Sequence, residues 1–513
     1  MTQLSFYIVS DVHGYIFPTD FSSRNQQLPM GLLKANHLIE SERSQDDISF
    51  KIDNGDFLQG APLCNYLVSE RQTSAPLTNI YNRLNFDFGT IGNHEFNYGI
   101  PYLKDTLNQL HHPVLCANIL DTQHQPFTGK GIHFFEKAGL TVGVIGLTTQ
   151  YIPNWEQPNH IKDLQFHSAV DTLSQLLPDV RNKADIVVVS YHGGFERDID
   201  TNEPTETLSG ENEASEILNQ FHDSIDVLIT GHQHRDIATV KYDTAVIQPG
   251  TRATQVGKVT LTLNDQHQII NKQVALLPVT SETDFELLPE DASLLNDLED
   301  WLDTNITTLP EPMLVEDKFE ARVKPHPLLN LINLILLEKS GADIASTALF
   351  DSAAGFNTQV TMRDIINNYP FPNTFQVLEL SGAAIKEALE RSASYFALDA
   401  NNEITINESF LYPKPQHFNY DIYGGISYTI HVGRPIGQRV TDIKVGDTPL
   451  NETQKYTICV NNYRAVGGGN YDMFAQAPVV KDIQEEGAQV LIDYMTTHNL
   501  DSLPQVVNFE VTI

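Results

Sequence analysis

The sequence predicts an α/β fold over its first 280 residues, because short apolar runs alternate there with amphipathic segments. The runs are rich in Val, Ile or Phe and end in residues that favour turns, which is typical of buried strands. They lie at residues 6–9, 48–52, 86–91, 140–147, 186–189 and 227–229. Segments long enough for helices separate them, so we expect helices to pack against sheets.

The segments between the runs carry helix signals. Residues 32–39 place four apolar side chains at helical spacing. Pro101 is well placed to open a helix over residues 102–110, since proline is favoured in the first turn. Ser168 can cap a helix over residues 169–182.

The length of the chain and a change in its composition predict more than one domain. A chain of 513 residues is too long for one compact core. Residues 290–303 are acidic and place leucines on one face, which predicts a connecting helix. We therefore predict a first domain at residues 1–285, a connecting helix and linker at 286–312, and a second domain at 313–513.

The charge of the chain excludes some partners. There are 66 acidic and 32 basic residues, and the formal net charge is −34. Such a surface repels nucleic-acid polymers and anionic membranes, so we expect neither as a partner. It also repels a small phosphate substrate, unless divalent cations reverse the field locally.

The cysteines and the start of the chain bear on its location. Cys64, Cys116 and Cys459 are too few and too scattered for a disulfide framework, and we expect buried thiols. No secretion-type leader precedes the first predicted strand, and no apolar run approaches the length of a membrane span. We expect a cytoplasmic protein, or an extracellular or periplasmic one if a leader precedes the printed chain.

Polar residues of metal-ligand type follow five of the six apolar runs. Carboxyl ends of strands in an open sheet meet at one edge, so these residues are predicted to converge. In chain order they are Asp11, His13, Asp56, Asn93, His192, His232 and His234. Any one of these motifs alone is weak evidence, but five in order at strand ends are strong evidence for a metal site.

The ligand types indicate which metals the site prefers. Carboxylate, imidazole and amide ligands without thiolates suit two divalent ions such as Mn²⁺, Zn²⁺ or Fe²⁺, and do not suggest a structural zinc site. We expect Asp56 to bridge the two ions. Asp11, His13 and His234 are assigned to one ion, and Asn93, His192 and His232 to the other. Glycines 55, 92, 193 and 231 are expected to let the backbone turn beside them.

These motifs resemble the calcineurin-like metallophosphoesterases across the whole first domain. The residues that carry the resemblance are Asp11, His13, Gly55, Asp56, Gly92, Asn93, His94, Glu95, His192, Gly231, His232 and His234. The resemblance implies a four-layer α-β-β-α domain and a metal-bound hydroxide that attacks phosphorus in line. It also implies that His94 stabilises charge on the phosphoryl group or protonates the leaving oxygen. Two cations would activate water and neutralise the phosphoryl oxygens.

The second half resembles the C-terminal domain of bacterial nucleotidases. The similarity lies at residues 371–374, 380–382, 389–392, 420–421, 461–464 and 467–469. It implies a second α/β (α+β) domain that supplies contacts to a nucleotide substrate. In that family, residues aligned with Tyr420 and Tyr463 sandwich the base. Asn461, Asn462 and Asp421 are candidates for hydrogen bonds to sugar or base.

Two branches of this family compete, and two departures favour one of them. The 5′-nucleotidase branch has an arginine in the stretch that corresponds to residues 351–356, which here contains none. That branch also has Asp where this chain has Asn97. Residues 59–63, 93–99 and 390–392 instead resemble the 2′,3′-cyclic-nucleotide 2′-phosphodiesterase/3′-nucleotidase branch, which we therefore expect. A 5′-nucleotidase or nucleotide-sugar hydrolase is the alternative.

Asn97 also affects the expected chemistry of His94. An amide can orient the ring by a hydrogen bond but adds no negative charge, so we expect His94 to act more as a neutral donor than as a strong acid. Two other classes of protein fit the sequence less well. A catalytically silent nucleotide- or metal-binding protein is disfavoured by the intact ligand set, and a phosphoprotein phosphatase by the second domain and the acidic surface.

Overall fold

The computed structural model of the chain describes residues 1–156, 158–205, 208–371, 373–412, 414–483, 485–500, 506 and 508–513. Contacts between Cα atoms divide the chain into two compact units, Met1–Glu299 and Asp300–Ile513. Residue 372 of the predicted 371–374 motif lies outside the described residues.

Two six-stranded sheets form the centre of the first unit. In both sheets four neighbouring strands are parallel and antiparallel strands complete the edges. One sheet has the order Ile269–Pro278, Gln255–Leu263, Thr2–Val9, Ile48–Asp53, Phe88–Thr90 and Val114–Leu115. The other has the order Asp236–Lys241, Thr244–Pro249, Val227–Ile229, Ile186–His192, Leu140–Thr148 and Ile132–Lys137. All six predicted strands are present.

The two sheets pack face to face. Phe6 and Ile8 of one sheet share a fully buried core with Val144 and Val188 of the other. Residues that alternate with these point to the outer faces, because strand side chains alternate with period two. On one outer face Tyr191 packs in a second core with the helices Ala169–Arg181 and Ala214–Phe221. The layers run helix, sheet, sheet, helix, so the expected four-layer arrangement is confirmed.

The helices of the first unit begin near the residues that the sequence indicated. The Ser168 hydroxyl accepts a hydrogen bond from the backbone N–H of Asp171 and caps its helix as predicted. The helix around Pro101 begins at Gly99, three residues before the predicted range of 102–110. The longer helices are Leu32–Arg43, Ala75–Leu84, Gly99–Gln109, Ala169–Arg181, Ala214–Phe221 and Pro289–Leu302.

The helix Pro289–Leu302 corresponds to the predicted connecting helix. Its first turns are fixed to the first unit, because Arg83 pairs with Asp291 at 2.5 Å and Arg71 pairs with Asp297 at 2.6 Å. The domain ranges given above stay a prediction. Among the residues that the structure describes, none of the helices combines the length and the apolar character needed to cross a bilayer.

The second unit is also an α/β structure. A five-stranded mixed sheet has the order Asp421–Gly424, Ile344–Ala348, Lys455–Asn461, Phe375–Ser381 and Val479–Ile483. A four-stranded sheet has the order Thr448–Pro449, Val440–Val445, Ile426–His431 and Phe509–Thr512. The longer helices are Pro327–Ser340, Met362–Asn368, Gly382–Ala393 and Gly487–Thr497. All three cysteines of the chain are buried free thiols, as expected.

Candidate metal centre

The seven predicted ligand residues lie together at one edge of the paired sheets. Each stands at, or two to five residues after, the carboxyl end of a parallel strand. Asp11 and His13 follow Thr2–Val9, Asp56 follows Ile48–Asp53, Asn93 follows Phe88–Thr90, His192 ends Ile186–His192, and His232 and His234 follow Val227–Ile229. The parallel strands of both sheets therefore deliver their polar ends to a common site.

The ligand atoms form three overlapping groups, each with all its atoms within 4.8 Å of one another. The groups are Asp11 with His13 and His234, Asp56 with His192 and His232, and Asp56 with His13 and His94. Asp56 belongs to two of them, which is the position expected for a bridging carboxylate. The first two groups contain the residues assigned to separate ions, apart from Asn93, which contacts His232. The assignment to two ions stays a prediction.

The backbone is strained at five of the seven predicted ligand residues. Asp11, His13, Asp56, His232 and His234 all have φ between 51° and 67°. This left-handed region is costly for side chains other than glycine and is maintained only where surrounding structure enforces it. Such strain concentrates at functional sites, where it directs side chains that a regular strand or helix would point elsewhere.

Hydrogen bonds from three histidine rings fix which nitrogen faces the centre. His13 Nδ1 donates to the Gln59 carbonyl at 2.9 Å, and His192 Nδ1 donates to the Asn54 carbonyl at 2.6 Å. His232 Nε2 donates to Glu211 Oε1 at 3.0 Å. Each ring then presents the lone pair of its other nitrogen to the centre, which is how histidine ligands are oriented for a metal.

Several nitrogen and oxygen atoms of the predicted ligands crowd together inside the centre. His13 Nε2 lies 3.0 Å from His234 Nε2, and His232 Nδ1 lies 2.8 Å from Asn93 Oδ1. His192 Nε2 is 3.1 Å from Asp56 Oδ2, yet both atoms are buried without a hydrogen bond of acceptable geometry. Buried polar atoms without partners are costly, and divalent cations would satisfy this set. The residues therefore fit a metal centre.

The charge balance of the site supports the same conclusion. Burial disfavours a protonated His192, but the carboxylates of Asp56 and Asp11 outweigh it and raise the pKa of His192 to about 10. Burial also disfavours the ionised form of Asp11 and Asp56, but the neighbouring His192 lowers the pKa of both below the usual range. These carboxylates thus attract positive charge into a buried site.

Glu95 holds together the loops that carry the predicted ligands. Its buried carboxylate accepts hydrogen bonds from the backbone N–H groups of Gly92 at 2.5 Å, Asp56 at 2.9 Å and Phe57 at 2.8 Å. Two strand ends from different parts of the chain are thereby locked together. Burial is the larger cause, and repulsion from Asp56 the smaller one, of a raised pKa of Glu95.

The four predicted glycines serve the site in two ways. Gly55 has φ 91°, so it is needed for a left-handed turn. Gly92 is needed for space, because a Cβ atom there would collide with Asp56 Oδ1 and lie 2.6 Å from His192 Nε2. Gly193 and Gly231 are likewise too crowded for a side chain.

His94 lies beside the ligands, and Asn97 orients it. The His94 and His13 rings are 5.2 Å apart, and His94 Nδ1 lies 2.7 Å from Asn97 Oδ1. Since an amide oxygen only accepts, Nδ1 must carry a proton. A neutral ring then has a lone pair at Nε2, so the expectation that His94 acts as a neutral donor is wrong for this arrangement. Only the protonated ring can donate from Nε2.

The structure corrects two predicted substrate contacts in the second unit. Tyr420 is fully buried, stacks on Tyr395 at 4.7 Å and donates to the carbonyl of Arg322 at 3.0 Å. It is a core residue and has no face for a base. Asp421 is also buried, and both its oxygens accept hydrogen bonds from Arg464 at 2.9 Å.

The other predicted contacts are more accessible. Tyr463, Asn461 and Asn462 are partly exposed, although Asn461 already caps a helix by accepting from the Arg464 N–H at 2.7 Å. Phe418 is partly exposed too, and its ring centroid is 6.4 Å from that of Tyr463. Phe418, two residues from the predicted Tyr420, is therefore the aromatic residue that accompanies Tyr463.

Sequence reasoning missed three residues near the metal centre. Glu211 reaches His232, the Trp155 ring stacks on His232 at 5.3 Å, and Glu156 contacts Asn97. Trp155 and Glu156 follow the strand Leu140–Thr148, the one run without a ligand-type motif at its end. The available signal for Trp155 and Glu156 was that this strand lies among the parallel strands whose ends form the site. No comparable signal marked Glu211.

Fold and site together define a metal-dependent hydrolase with ligands at the rim of a double sheet. The calcineurin-like phosphoesterase profile matches residues 4–236, and the profile of the 5′-nucleotidase C-terminal domain matches residues 305–476. The chain belongs to this calcineurin-like phosphoesterase family with a nucleotidase C-terminal domain. It is a metal-dependent phosphoric ester hydrolase, and the expectations of family and enzyme class are confirmed.

Individual relatives extend over most of the chain. A crystal structure named "Putative 5'-Nucleotidase from Staphylococcus aureus in complex with alpha-ketoglutarate" is 60% identical, covers 100% of both chains and has a TM-score of 0.97. The 2′,3′-cyclic-nucleotide 2′-phosphodiesterase/3′-nucleotidase of Salmonella typhimurium is 26% identical over 90% of this chain and 80% of its own length. The trifunctional nucleotide phosphoesterase protein YfkN of Bacillus subtilis is 23% identical over 96% of this chain, which spans 38% of that relative.

Proposed function

We propose that this chain is a 2′,3′-cyclic-nucleotide 2′-phosphodiesterase/3′-nucleotidase. The observation that carries the proposal is the contact of His94 with the amide of Asn97, at 2.7 Å, beside the seven converged ligand residues. An amide at this position distinguishes the cyclic-nucleotide branch from the 5′-nucleotidase branch. The name of the Salmonella relative supports the same assignment.

We assign two divalent ions to the centre, Mn²⁺, Zn²⁺ or Fe²⁺. Asp11, His13 and His234 would hold one ion, Asn93, His192 and His232 the other, and Asp56 both. Two bound cations supply Lewis acidity, lower the pKa of water and neutralise the phosphoryl oxygens. The outer hydrogen bonds from the rings to Gln59, Asn54 and Glu211 keep the ligand nitrogens aimed inward.

In the proposed reaction, water adds to phosphorus and one bond from phosphorus to a ribose oxygen breaks. The departing oxygen takes the proton from Nε2 of the protonated His94 ring, while a proton of the water passes to solvent. A cyclic diester thus becomes a monoester with a free hydroxyl, and His94 is reprotonated by solvent. Asn97 holds Nδ1 of the ring throughout, so Nε2 stays directed at the reacting group.

We assign base binding to Phe418 and Tyr463. Both rings are partly exposed and lie in contact, whereas Tyr420 is fully buried. Stacking on aromatic rings tolerates every base, because each base has a π-face. The proposal therefore includes a broad preference for the base of the nucleotide.

The second candidate function is that of a 5′-nucleotidase or nucleotide-sugar hydrolase. It is favoured by the Staphylococcus aureus structure, which shares 60% identity and is named for 5′-nucleotidase activity. The arrangement at His94 can in principle protonate any ribose oxygen that leaves phosphorus. The position of the phosphate on the ribose separates the first candidate from a 5′-nucleotidase, and cleavage between two phosphoryl groups separates it from a nucleotide-sugar hydrolase.

The test compares four substrates with Mn²⁺: 2′,3′-cyclic AMP, 3′-AMP, 5′-AMP and UDP-glucose. We expect kcat/KM for the first two to exceed that for the last two. The Asp56→Asn variant, purified in parallel, controls for contaminating phosphatases. Activity on 5′-AMP alone would overturn the proposal in favour of the second candidate.

The cytoplasmic location also stays a prediction.

A further inference from the structure

A chain of hydrogen bonds leads from His94 to a buried carboxylate that the ligand set does not use. His94 Nδ1 contacts Asn97 Oδ1 at 2.7 Å, and Asn97 Nδ2 donates to Glu156 Oε2 at 2.9 Å. The other oxygen, Glu156 Oε1, accepts from His160 Nδ1 at 2.9 Å. Glu156 is only 6% exposed, so its carboxylate is held away from bulk water between these two partners.

We propose that Glu156 is a positioning residue that fixes the amide of Asn97 and, through it, the proton on His94 Nδ1. A carboxylate cannot donate, so it must face the amino group of Asn97. The Asn97 oxygen is then turned towards His94, and only a ring with a proton on Nδ1 can satisfy it. The inference rests on the proposed role of His94 in the hydrolysis.

The same contact supplies the charge that the amide lacks. Hydrogen bonds polarise one another along a chain, more strongly in a buried site than in water. Glu156 increases the negative partial charge on Asn97 Oδ1, which strengthens the hydrogen bond that this oxygen accepts from His94 Nδ1. Asn97 and Glu156 together thus hold the ring in one orientation.

The position of Glu156 in the fold explains how it reaches the site. It lies just after the strand Leu140–Thr148, whose carboxyl end belongs to the same sheet edge as the ligands. Its neighbour Trp155 stacks on His232, with ring centroids 5.3 Å apart. The segment is therefore anchored on the metal centre on one side and on Asn97 on the other.

The test is a double-mutant cycle between Asn97 and Glu156. The Glu156→Gln variant keeps the shape of the side chain at residue 156 but removes its negative charge. The Asn97 amide then no longer has a single preferred orientation. We expect kcat for 2′,3′-cyclic AMP to fall about tenfold or more, with KM within about twofold. The Asn97→Asp variant places two carboxylates in contact, which cannot both be ionised, and we expect a similar loss of kcat.

The double variant Asn97→Asp with Glu156→Gln should restore activity, because the new Gln amide can donate to the new Asp, which accepts from His94. We expect its kcat to be within about threefold of the wild type. If Glu156 had only a structural role, the losses of kcat in the two single variants would multiply in the double variant. That result would overturn the proposal. Glu196→Gln is the matched control, since Glu196 is equally buried at 6% exposure and caps a helix elsewhere.

Leaving-group dependence gives a second readout. Bis(p-nitrophenyl) phosphate releases a stable anion that needs no proton, so Glu156→Gln should leave its kcat within about twofold of the wild type. An equal loss on this ester and on the cyclic nucleotide would also overturn the proposal. If the wild type turns over no nucleotide, only the proposed function fails, and glycerol phosphate replaces the nucleotide in the same comparison.

Discussion

His13 Nε2 and His234 Nε2 face each other at 3.0 Å, although His13 already carries its proton on Nδ1 for the Gln59 carbonyl. The two rings are contributed by different sheets, since His13 follows Thr2–Val9 and His234 follows Val227–Ile229. A divalent cation bound by both nitrogens would use the lone pair that His13 directs at the second ring. This one contact therefore joins the topology of the fold to the proposed metal centre.

Removing the shared carboxylate should disrupt both metal positions. In Asp56→Asn we expect the metal content to fall from about two ions per chain to one or fewer, and kcat to fall about 100-fold or more. Mass spectrometry of dialysed protein and assays with saturating Mn²⁺ check this. The exposed Asp442→Asn serves as control and should change neither quantity. Full metal content and activity in Asp56→Asn would contradict the bridging role.

Glu211→Gln should weaken metal binding without abolishing the site. Its carboxylate accepts from His232 Nε2 at 3.0 Å, and loss of such an outer contact typically weakens metal affinity by about 10- to 100-fold. Competition with a chelator, together with the Mn²⁺ dependence of kcat, measures the change. Glu216→Gln, an exposed position on a nearby helix, is the control. An unchanged affinity would show that Glu211 does not orient the ring.

Gly92→Ala should fold but bind metal poorly. The added methyl group would collide with Asp56 Oδ1 and lie 2.6 Å from His192 Nε2, so both ligands must move. At Gly433 the nearest atom to an added Cβ is 3.5 Å away, and Gly433→Ala is the matched control. We expect a loss of metal and activity only in Gly92→Ala, with circular dichroism unchanged in both. Normal metal content in Gly92→Ala would contradict the crowded geometry.

Phe418→Ala should raise KM about tenfold with little change in kcat, because stacking on a base contributes about 1–3 kcal/mol. Tyr420→Phe should leave KM unchanged. It removes the hydrogen bond to the Arg322 carbonyl, so it should lower the free energy of unfolding by about 1 kcal/mol. Steady-state kinetics and urea unfolding separate the two effects. The opposite pattern would restore Tyr420 as the base contact.

Removal of metal should lower thermal stability. Cations that bind only the folded chain stabilise it by mass action, and they also relieve repulsion between the buried Asp11 and Asp56. We expect a chelator to lower Tm by about 5 °C or more, and added Mn²⁺ to restore it. In Asp56→Asn the chelator should have a much smaller effect. A wild-type Tm that is indifferent to chelator would argue against resident metal.

The sequence by itself predicted the six strands, the α/β class of the first domain and the seven residues that converge at the sheet edge, whereas the four-layer arrangement was implied by the family resemblance. The physical reason is that buried parallel strands need continuous apolar runs, and the topology sends their carboxyl ends to one edge. Asp11, Asp56 and His192 could be located because each lies at such an end. Their positions directly after apolar runs were enough to predict them, without knowledge of the three-dimensional structure.

Only the tertiary structure decided which side chains are exposed and which amides meet carboxylates. Tyr420 and Phe418 are two residues apart, yet one is stacked in the core and the other is partly exposed, because the short 3-10 helix His417–Asn419 ends between them and a strand begins directly after Tyr420. Glu156 lies 59 residues from Asn97 and touches it only because two loops fold over the same sheet edge. Such contacts depend on the path of loops, for which no periodic pattern exists in the sequence.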